Sequence, residues 1–565
     1  MKPSLIKISL FLLGTFFFSC EKKKEPIKIE QDAPLYSLLN PKNTKLIFKN
    51  TSIETPKRFF AHYNNFYNGS GVAIADFDND GLADVFMCGN DTTNRLFLNQ
   101  GDFVFEDLTN RAGIYSDQWS TGVTTVDINN DGFLDIYVCN SGPTVDDNLL
   151  KNKLYINNGD LTFTENAAAY GLDDSSYSSQ AAFFDMDKDG DLDLFVLNHS
   201  LFNYSRPEKG GTQQDFDQIF LSKTEHVRKK SVNTLYRNDG NGKFSEITEA
   251  AGMFKVGFGL GVSITDFDDD GYLDVYVSND YFIPDFLYMN NGDGSFTDRL
   301  ASKASHTSYF SMGCDTADFN NDGLVDLLAV DMTPSDHYLN KTLMESMNVN
   351  EFRYLVENKK YVPQYMFNSL NLNRSKGNFS EIALMSGVSH TGWSWAPLFL
   401  DLDNNAYKDL IVTNGFKRDT KDNDWQISLI KRIEEEEEEK LEEIYFSHLD
   451  SAKSRPVTNY IFENQGDLTF KDKSKEWGFT VPSFSNGAAY GDLDNDRDLD
   501  MVVNNLESIA FDYRNNTTEK KKNHFIQFEL TDGKSSSSIL NSKIKLYSGE
   551  TTQLVEYSFV RGYLS

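Results

Sequence analysis

One nine-residue pattern recurs seven times along the 565-residue chain, and it constrains the fold more than any other feature. The copies begin at Asp76 (DFDNDGLAD), Asp127 (DINNDGFLD), Asp185 (DMDKDGDLD), Asp266 (DFDDDGYLD), Asp318 (DFNNDGLVD), Asp401 (DLDNNAYKD) and Asp492 (DLDNDRDLD). A repeat of this kind marks one supersecondary unit that buries its apolar face only by stacking on its neighbours. Runs such as Val85–Met87, Ile136–Val138 and Val275–Val277 follow the acidic loops, and their β-branched and aromatic content predicts strands.

A second motif alternates with the first. It reads Asn94-Arg95-Leu96-Phe97-Leu98-Asn99 and then Leu154-Tyr155-Ile156-Asn157, with further copies starting at Asn233, Asp285, Asn368 and Asn459. Gly-containing turns between short alternating strands predict a hairpin. Each unit then supplies four strands, two flanking the acidic loop and two in the hairpin, which is one propeller blade. The expected fold is an all-β, seven-bladed β-propeller over residues 45–516, preceded by a linker at 20–44. The seventh unit stops after Phe511–Asn516 without a final strand, and Lys45–Phe48 resembles the missing piece, so closure through mixed termini is expected.

The loops place oxygen ligands at positions 1, 3, 5 and 9 and glycine at position 6, which suits a hard cation such as calcium. The candidate ligands are Asp76, Asp78, Asp80 and Asp84; Asp127, Asn129, Asp131 and Asp135; Asp185, Asp187, Asp189 and Asp193; Asp266, Asp268, Asp270 and Asp274; Asp318, Asn320, Asp322 and Asp326; and Asp492, Asp494, Asp496 and Asp500. An EF-hand needs flanking helices and a glutamate at position 12, and both are missing. A single acidic loop is ordinary turn chemistry, but seven copies in one register point to bound calcium at five or more sites. The sixth loop stays open, because Asn405 replaces a carboxylate and Ala406 stands where a left-handed residue is wanted; Arg497 does the same in the seventh.

Three repeat intervals are longer than the rest, with insertions near His199–Ser231, Asp331–Phe367 and Gly415–Thr458. All fall between the second strand and the hairpin, hence on the face opposite the acidic loops. Elaborated loops on a rigid scaffold commonly bind ligands. Asn140, Asn198, Asn279, Asp331, Asn414 and Asn505 end the second strands there, with Asn90 one place later in the first unit. They either terminate strands or ring a polar funnel for a glycan or peptide, with Tyr281, Phe282, Trp393 and Trp395 stacking on a sugar; Trp393 and Trp395 equally suit the core. The third insertion, with its glutamate run Glu434–Glu439, predicts an exposed helix.

A net charge of -31 argues against nucleic-acid binding and fits carboxylates awaiting cations. Lys2, Lys7 and the apolar stretch Ile8–Phe18 read as a secretory signal over residues 1–19. Cys20 after Ser19 resembles a bacterial lipobox, which implies acylation of Cys20 and a cell-envelope protein anchored in the outer membrane, on its surface or periplasmic side. Cys88, Cys139 and Cys314 show no CxxC spacing and read as buried thiols, with a Cys88–Cys139 bridge between neighbouring units as the alternative.

At these loops and hairpins the chain resembles the FG-GAP/VCBS repeat family, whose repeats build the propeller of integrin α-subunits. The resemblance implies calcium in the blade loops and recognition through the opposite face. Residues 523–565 resemble the ASPIC/UnbV module, notably at Phe525–Leu530, Lys543–Leu546 and the ending Arg561-Gly562-Tyr563-Leu564-Ser565; set against that family, the chain looks truncated there. The eight histidines are scattered and no HExxH, GxSxG or P-loop motif occurs. The expected role is a non-enzymatic binding or adhesion scaffold for an extracellular or periplasmic glycan or protein. A polysaccharide lyase or glycosidase, or a purely structural envelope protein, are the alternatives.

Overall fold

The apolar residues of each repeat alternate with short turns, and in the computed structural model they form seven four-stranded antiparallel sheets. The structure describes residues 34–200, 228–343, 348–435, 440–520, 525–528, 530, 539–549 and 551–565. The signal segment, Cys20 and most of the first insertion lie outside them.

Blade 1 comprises Val72–Ala75, Asp84–Met87, Arg95–Asn99 and Phe105–Asp107, and blade 2 comprises Trp119–Val126, Asp135–Ser141, Lys153–Asn157 and Phe163–Glu165. Blades 3 to 6 repeat this order, starting at Ser178, Gly259, Cys314 and Ser394. The first strand of each blade touches the first strands of the blades on either side, and Val72–Ala75 touches both Trp119–Val126 and Ser485–Gly491, so the array closes into a ring. Between blades lie layers of buried aromatic and aliphatic side chains, such as Phe77, Phe86, Val123, Ile136 and Phe163 between blades 1 and 2. A fully buried side chain of this size stabilises by roughly 1.5–3 kcal/mol.

The seventh blade is built from Ser485–Gly491, Asp500–Asn505 and Phe511–Asn515, and its outer strand is Tyr36–Leu38. Tyr36 pairs with Asn515 and Leu38 with Tyr513. Closure therefore uses both termini, but through the segment expected to be linker rather than through Lys45–Phe48. The short helix Pro41–Thr44 and a left-handed Lys45 turn the chain back, so that Leu46 and Phe48 fill the seam between blades 7 and 1 beside Val72, Val85 and Val502. The carbonyl of Phe48 still accepts the Ala510 N–H at 2.9 Å.

Pro34–Ser565 forms one compact unit, and the C-terminal segment is part of it. The hairpin Lys543–Ser548/Thr551–Glu556 docks beside blade 4, where Thr265 Oγ1 donates to Glu556 Oε1 at 2.6 Å and Lys543 Nζ donates to the Asp266 carbonyl at 2.8 Å. Residues 561–565 then lie among the innermost strands. Val72 N donates to Ser565 Oγ at 3.0 Å, Val123 N to Leu564 O at 3.1 Å, Gln180 Nε2 to Ser565 O at 3.0 Å, and Cys314 N to Gly562 O at 3.2 Å. Arg561 reaches Asp315 of blade 5, the Phe399 carbonyl of blade 6 at 3.1 Å and the Tyr490 hydroxyl of blade 7 at 3.2 Å. With Glu556 on blade 4, the C-terminal segment bonds to all seven blades. Glycines make this possible: a Cβ on Gly71 would sit 1.7 Å from Leu564 O, and one on Gly313 2.9 Å from the Tyr563 Cβ.

Candidate metal centre

Each acidic loop joins the first strand of a blade to the second, and the antiparallel order puts all seven on one face of the ring. The loop folds by its own side chains. In blade 1, Asp76 accepts the Asp80 N–H at 3.2 Å and the Gly81 N–H at 2.8 Å, Asp78 accepts Asp80 N–H, and Asp80 accepts Leu82 N–H at 2.8 Å. Position 4 is left-handed in all seven loops (Asn79, Asn130, Lys188, Asp269, Asn321, Asn404, Asn495), and so is position 6. Ala406 (φ 80°) and Arg497 (φ 74°) adopt there the backbone that glycine takes elsewhere, so both late loops keep the common shape.

The position-9 aspartate anchors the loop to the blade. Asp84 takes Phe77 N–H on one oxygen and Asn99 N–H on the other, at 3.0 and 2.8 Å. The hairpin asparagine completes a link that the sequence reading missed: Asn99 Nδ2 donates to Leu493 O of blade 7, Asn157 to Phe77 O of blade 1, Asn290 to Met186 O of blade 3, Asn373 to Phe267 O of blade 4, Asn464 to Phe319 O of blade 5 and Asn515 to Leu402 O of blade 6. One asparagine thus ties an acidic loop to the adjoining blade. Its signal was the asparagine that closes every third strand.

Carboxylate oxygens of Asp76, Asp78 and Asp84 gather within 4.8 Å of one another, as do those of Asp185, Asp187 and Asp193, of Asp266, Asp268 and Asp274, of Asp401, Asp403 and Asp409, and of Asp492, Asp494 and Asp500. The sixth loop, left open by sequence, therefore assembles like the others. In blades 2 and 5, Asn129 and Asn320 stand at position 3, and their amides donate to Asp131 at 2.8 Å and Asp322 at 3.0 Å. Burial, and after it the neighbouring carboxylates, push Asp84, Asp135, Asp193 and Asp274 up to about 7. The same causes hold Asp326, Asp409 and Asp500 well above the usual carboxylate range. In loops three to five, Asp185 Oδ1, Asp268 Oδ1 and Asp326 Oδ2 are buried with no hydrogen-bond partner among the described residues. An all-oxygen donor set with buried, unsatisfied carboxylate oxygens fits a hard divalent cation.

The opposite face differs from a polar funnel. Asn140, Asn198, Asn279, Asp331, Asn414 and Asn505 are all buried, and so is Asn90. Asn140 Nδ2 donates to Lys151 O at 2.7 Å, Asn198 Nδ2 to Val232 O at 2.9 Å and Asn279 Nδ2 to Pro284 O at 3.0 Å, so they terminate strands and brace the insertion-side turns. Trp395 is 1 % exposed, and its Nε1 donates to Gly415 O at 2.7 Å. Trp393 is half-buried and stacks on Phe416 with centroids 3.7 Å apart. Tyr281 and Phe282 pack against Phe258.

The insertion face is layered with residues 51–68 and the helices Asn423–Glu435 and Leu441–Leu449. Tyr63 and Phe66 pack on Trp119, Tyr67 on Phe416, and Phe60 on Trp425. A partly buried network holds the layer down: Arg418 grips Glu54 through Nε and Nη2 at 2.8 and 2.6 Å, and Lys417 reaches Glu507 at 2.7 Å. Cys88, Cys139 and Cys314 are buried free thiols. Among the described residues no helix is long and apolar enough to cross a membrane.

Residues 76–138, 144–196, 217–277 and 266–329 match the FG-GAP-like repeat family, a span covering the first five acidic loops. The chain is 26 % identical over 272 residues to cartilage acidic protein 1 of Xenopus tropicalis, covering 46 % of this chain and 39 % of that protein. It is 25 % identical over 280 residues to the Homo sapiens protein, covering 46 % and 38 %. The chain thus spans about two fifths of the length of these curated relatives. Among solved structures, a lectin of Agrocybe aegerita that recognises non-reducing terminal N-acetylglucosamine aligns with a TM-score of 0.37 and 15 % identity, over 80 % of this chain and 89 % of that one. A rhamnogalacturonan lyase of Bacillus licheniformis aligns with a TM-score of 0.36 and 12 % identity, over 84 % and 75 %. Likeness at that level carries no argument about ligand or activity. The chain folds as a seven-bladed β-propeller, and the segments that hold its first five acidic loops match the FG-GAP-like repeat.

Proposed function

We propose that the chain is a calcium-stabilised propeller that works as a binding scaffold of the cell envelope, tethered through an acylated Cys20 and presenting its insertion face to a glycan or protein ligand. The observation that carries this reading is the separation of tasks between faces. The acidic loops on one face are tied into the blade-to-blade asparagine links, so cation binding serves the ring itself. The inserted segments on the other face concentrate exposed apolar side chains, namely Tyr338 (65 %), Val349 (61 %), Ile427 (52 %) and Ile430 (54 %). Apolar groups exposed on elements braced from below are what a partner surface offers.

The test is to present purified protein to glycan and envelope-protein arrays, with calcium and with chelator. Saturable binding without turnover, lost when Ile427 and Ile430 are changed to Asp, supports the scaffold. Release of shortened polymer would replace it with a polysaccharide-acting enzyme. Binding that survives the double substitution would move the recognition surface elsewhere. Globomycin-sensitive processing, with a mass shift that Cys20→Ala abolishes, checks the anchor.

A further inference from the structure

Seven loops share one backbone, yet the seventh differs in what its carboxylates hold. In blade 1, Oδ1 of Asp78 accepts Asp80 N–H and Oδ1 of Asp80 accepts Leu82 N–H, which leaves their Oδ2 atoms as the donors a cation would use. In blade 7 the same backbone bonds form, from Asp496 N to Asp494 Oδ1 and from Asp498 N to Asp496 Oδ1, both at 3.2 Å. Here the two Oδ2 atoms are taken: Arg514 Nε donates to Asp494 Oδ2 at 2.9 Å and Arg514 Nη2 to Asp496 Oδ2 at 3.0 Å. Glu519 holds the outer side of the guanidinium, with its Oε1 2.5 Å from Nη2. The Arg514 side chain is 12 % exposed, and those of Asp494 and Asp496 are 10 % and 20 % exposed. We infer that Arg514 is the resident cation of the seventh loop and that this loop, unlike the other six, does not take calcium; the inference rests on the calcium reading of those six.

Blade 3 supplies an internal control. Arg514 precedes Asn515, whose N–H bonds to Asp500 Oδ1, and Arg237 precedes Asn238, whose N–H bonds to Asp193 Oδ1, so the two arginines occupy the same place. Arg237 nevertheless leaves its own loop alone. Its Nε and Nη2 donate to Asp239 at 3.0 and 2.7 Å, a carboxylate in the hairpin turn two residues on. Blade 7 has Asn516 at that point, and Asn516 is committed to Pro34 O, Leu35 O and Ser37 Oγ of the closing strand. Without a hairpin carboxylate, the guanidinium turns to the nearest anions, which are the loop's own. A planar fork bonded to two carboxylates is a geometry that a calcium ion would have to displace together with its buried ion pairs. Because the outer strand of blade 7 comes from the N-terminal segment, this blade alone lacks the hairpin turn that would hold the arginine elsewhere.

The other blades show which substitutions the position tolerates: Leu98, Ile156, Met289 and Leu372 stand there. The experiment is equilibrium dialysis of the chelator-stripped full chain against calcium, comparing unmodified protein with Arg514→Met and Arg514→Leu. The expected result is one additional calcium per chain in both variants. Equal or lower stoichiometry in variants that fold, as judged by circular dichroism, overturns the inference. Calcium on no form of the protein overturns the metal reading and this inference with it. Should both variants fail to fold, crystals of the unmodified protein soaked in terbium decide: anomalous peaks confined to loops outside blade 7 support the inference, and a peak between Asp494 and Asp496 refutes it.

Discussion

Arg561 and Asp315 meet in the middle of the ring although 246 positions separate them. The guanidinium donates from Nε and Nη2 to the two carboxylate oxygens, and Asp315, 1 % exposed, also accepts Phe399 N–H at 2.7 Å. Removing one partner strands a buried charge, at a cost of about 3–5 kcal/mol, whereas replacing both with apolar groups of similar volume removes the charge from either side. Asp315→Leu and Arg561→Met are therefore each expected to destabilise by that amount in urea titrations, and the double variant to lose clearly less than their sum.

The close approach at Gly71 gives a sterically defined test of the same segment. Its backbone does not demand glycine, but a Cβ would lie 1.7 Å from Leu564 O. Gly71→Ala is expected to destabilise by ~1–3 kcal/mol through overpacking, or to expel the C-terminal residues. Trypsin reads the difference: rapid cleavage after Arg561, which unmodified protein resists, reports expulsion.

Calcium removal should weaken the whole ring, because the position-9 aspartates and the hairpin asparagines join loop to blade and blade to blade. A site held at 100 times its Kd contributes about 2.7 kcal/mol to stability. EDTA is expected to lower the melting temperature, and added calcium to restore it in a concentration-dependent way. An unchanged melting curve would contradict metal in the loops.

Ala406 carries a φ of 80° in the sixth loop, where five of the others have glycine. A left-handed backbone costs an L-residue roughly 1 kcal/mol or more, offset in part by the greater freedom of glycine in the unfolded chain. Ala406→Gly is expected to raise stability by up to about 1 kcal/mol, measured by chemical denaturation with calcium present.

His199 sits at the end of the second strand of blade 3, packed against Phe258 and 1 % exposed, with neither ring nitrogen bonded among the described residues. Burial pushes its imidazole down from 6.5 to about 4. The unfolded chain therefore takes up the proton first. The contribution is intact above pH 6.5 and is lost as the pH falls towards 4, amounting to ~2 kcal/mol at pH 5. His199→Phe should remove this component, so the stability difference between variant and unmodified protein should grow in the variant's favour from pH 7 to pH 5.

The blades and loops were legible in sequence because their determinants are local. Alternation within a few residues sets a strand, an Asp-x-Asp-x-Asp-Gly run folds on its own backbone N–H groups, and the repetition of both gives seven units. Where two segments offered similar patterns, sequence could not choose. Lys45–Phe48 and Tyr36–Leu38 are both short and apolar, and only the turn at Pro41–Lys45 decides which one pairs with Phe511–Asn515. The strand-ending asparagines and Trp395 looked available for a ligand because the partners their side-chain N–H groups bond lie in turns that sequence does not place beside them.

The sequence by itself determined the number of blades, the face that carries the acidic loops and the acidic residues each loop presents, since these follow from periodicity and connection order. The tertiary structure alone decided that residues 561–565 occupy the middle of the ring and that Arg514 enters the seventh loop. The first needs Arg561 and Asp315, 246 positions apart, to meet inside the closed ring; the second follows from the N-terminal strand Tyr36–Leu38 completing blade 7, which leaves Arg514 without a hairpin carboxylate.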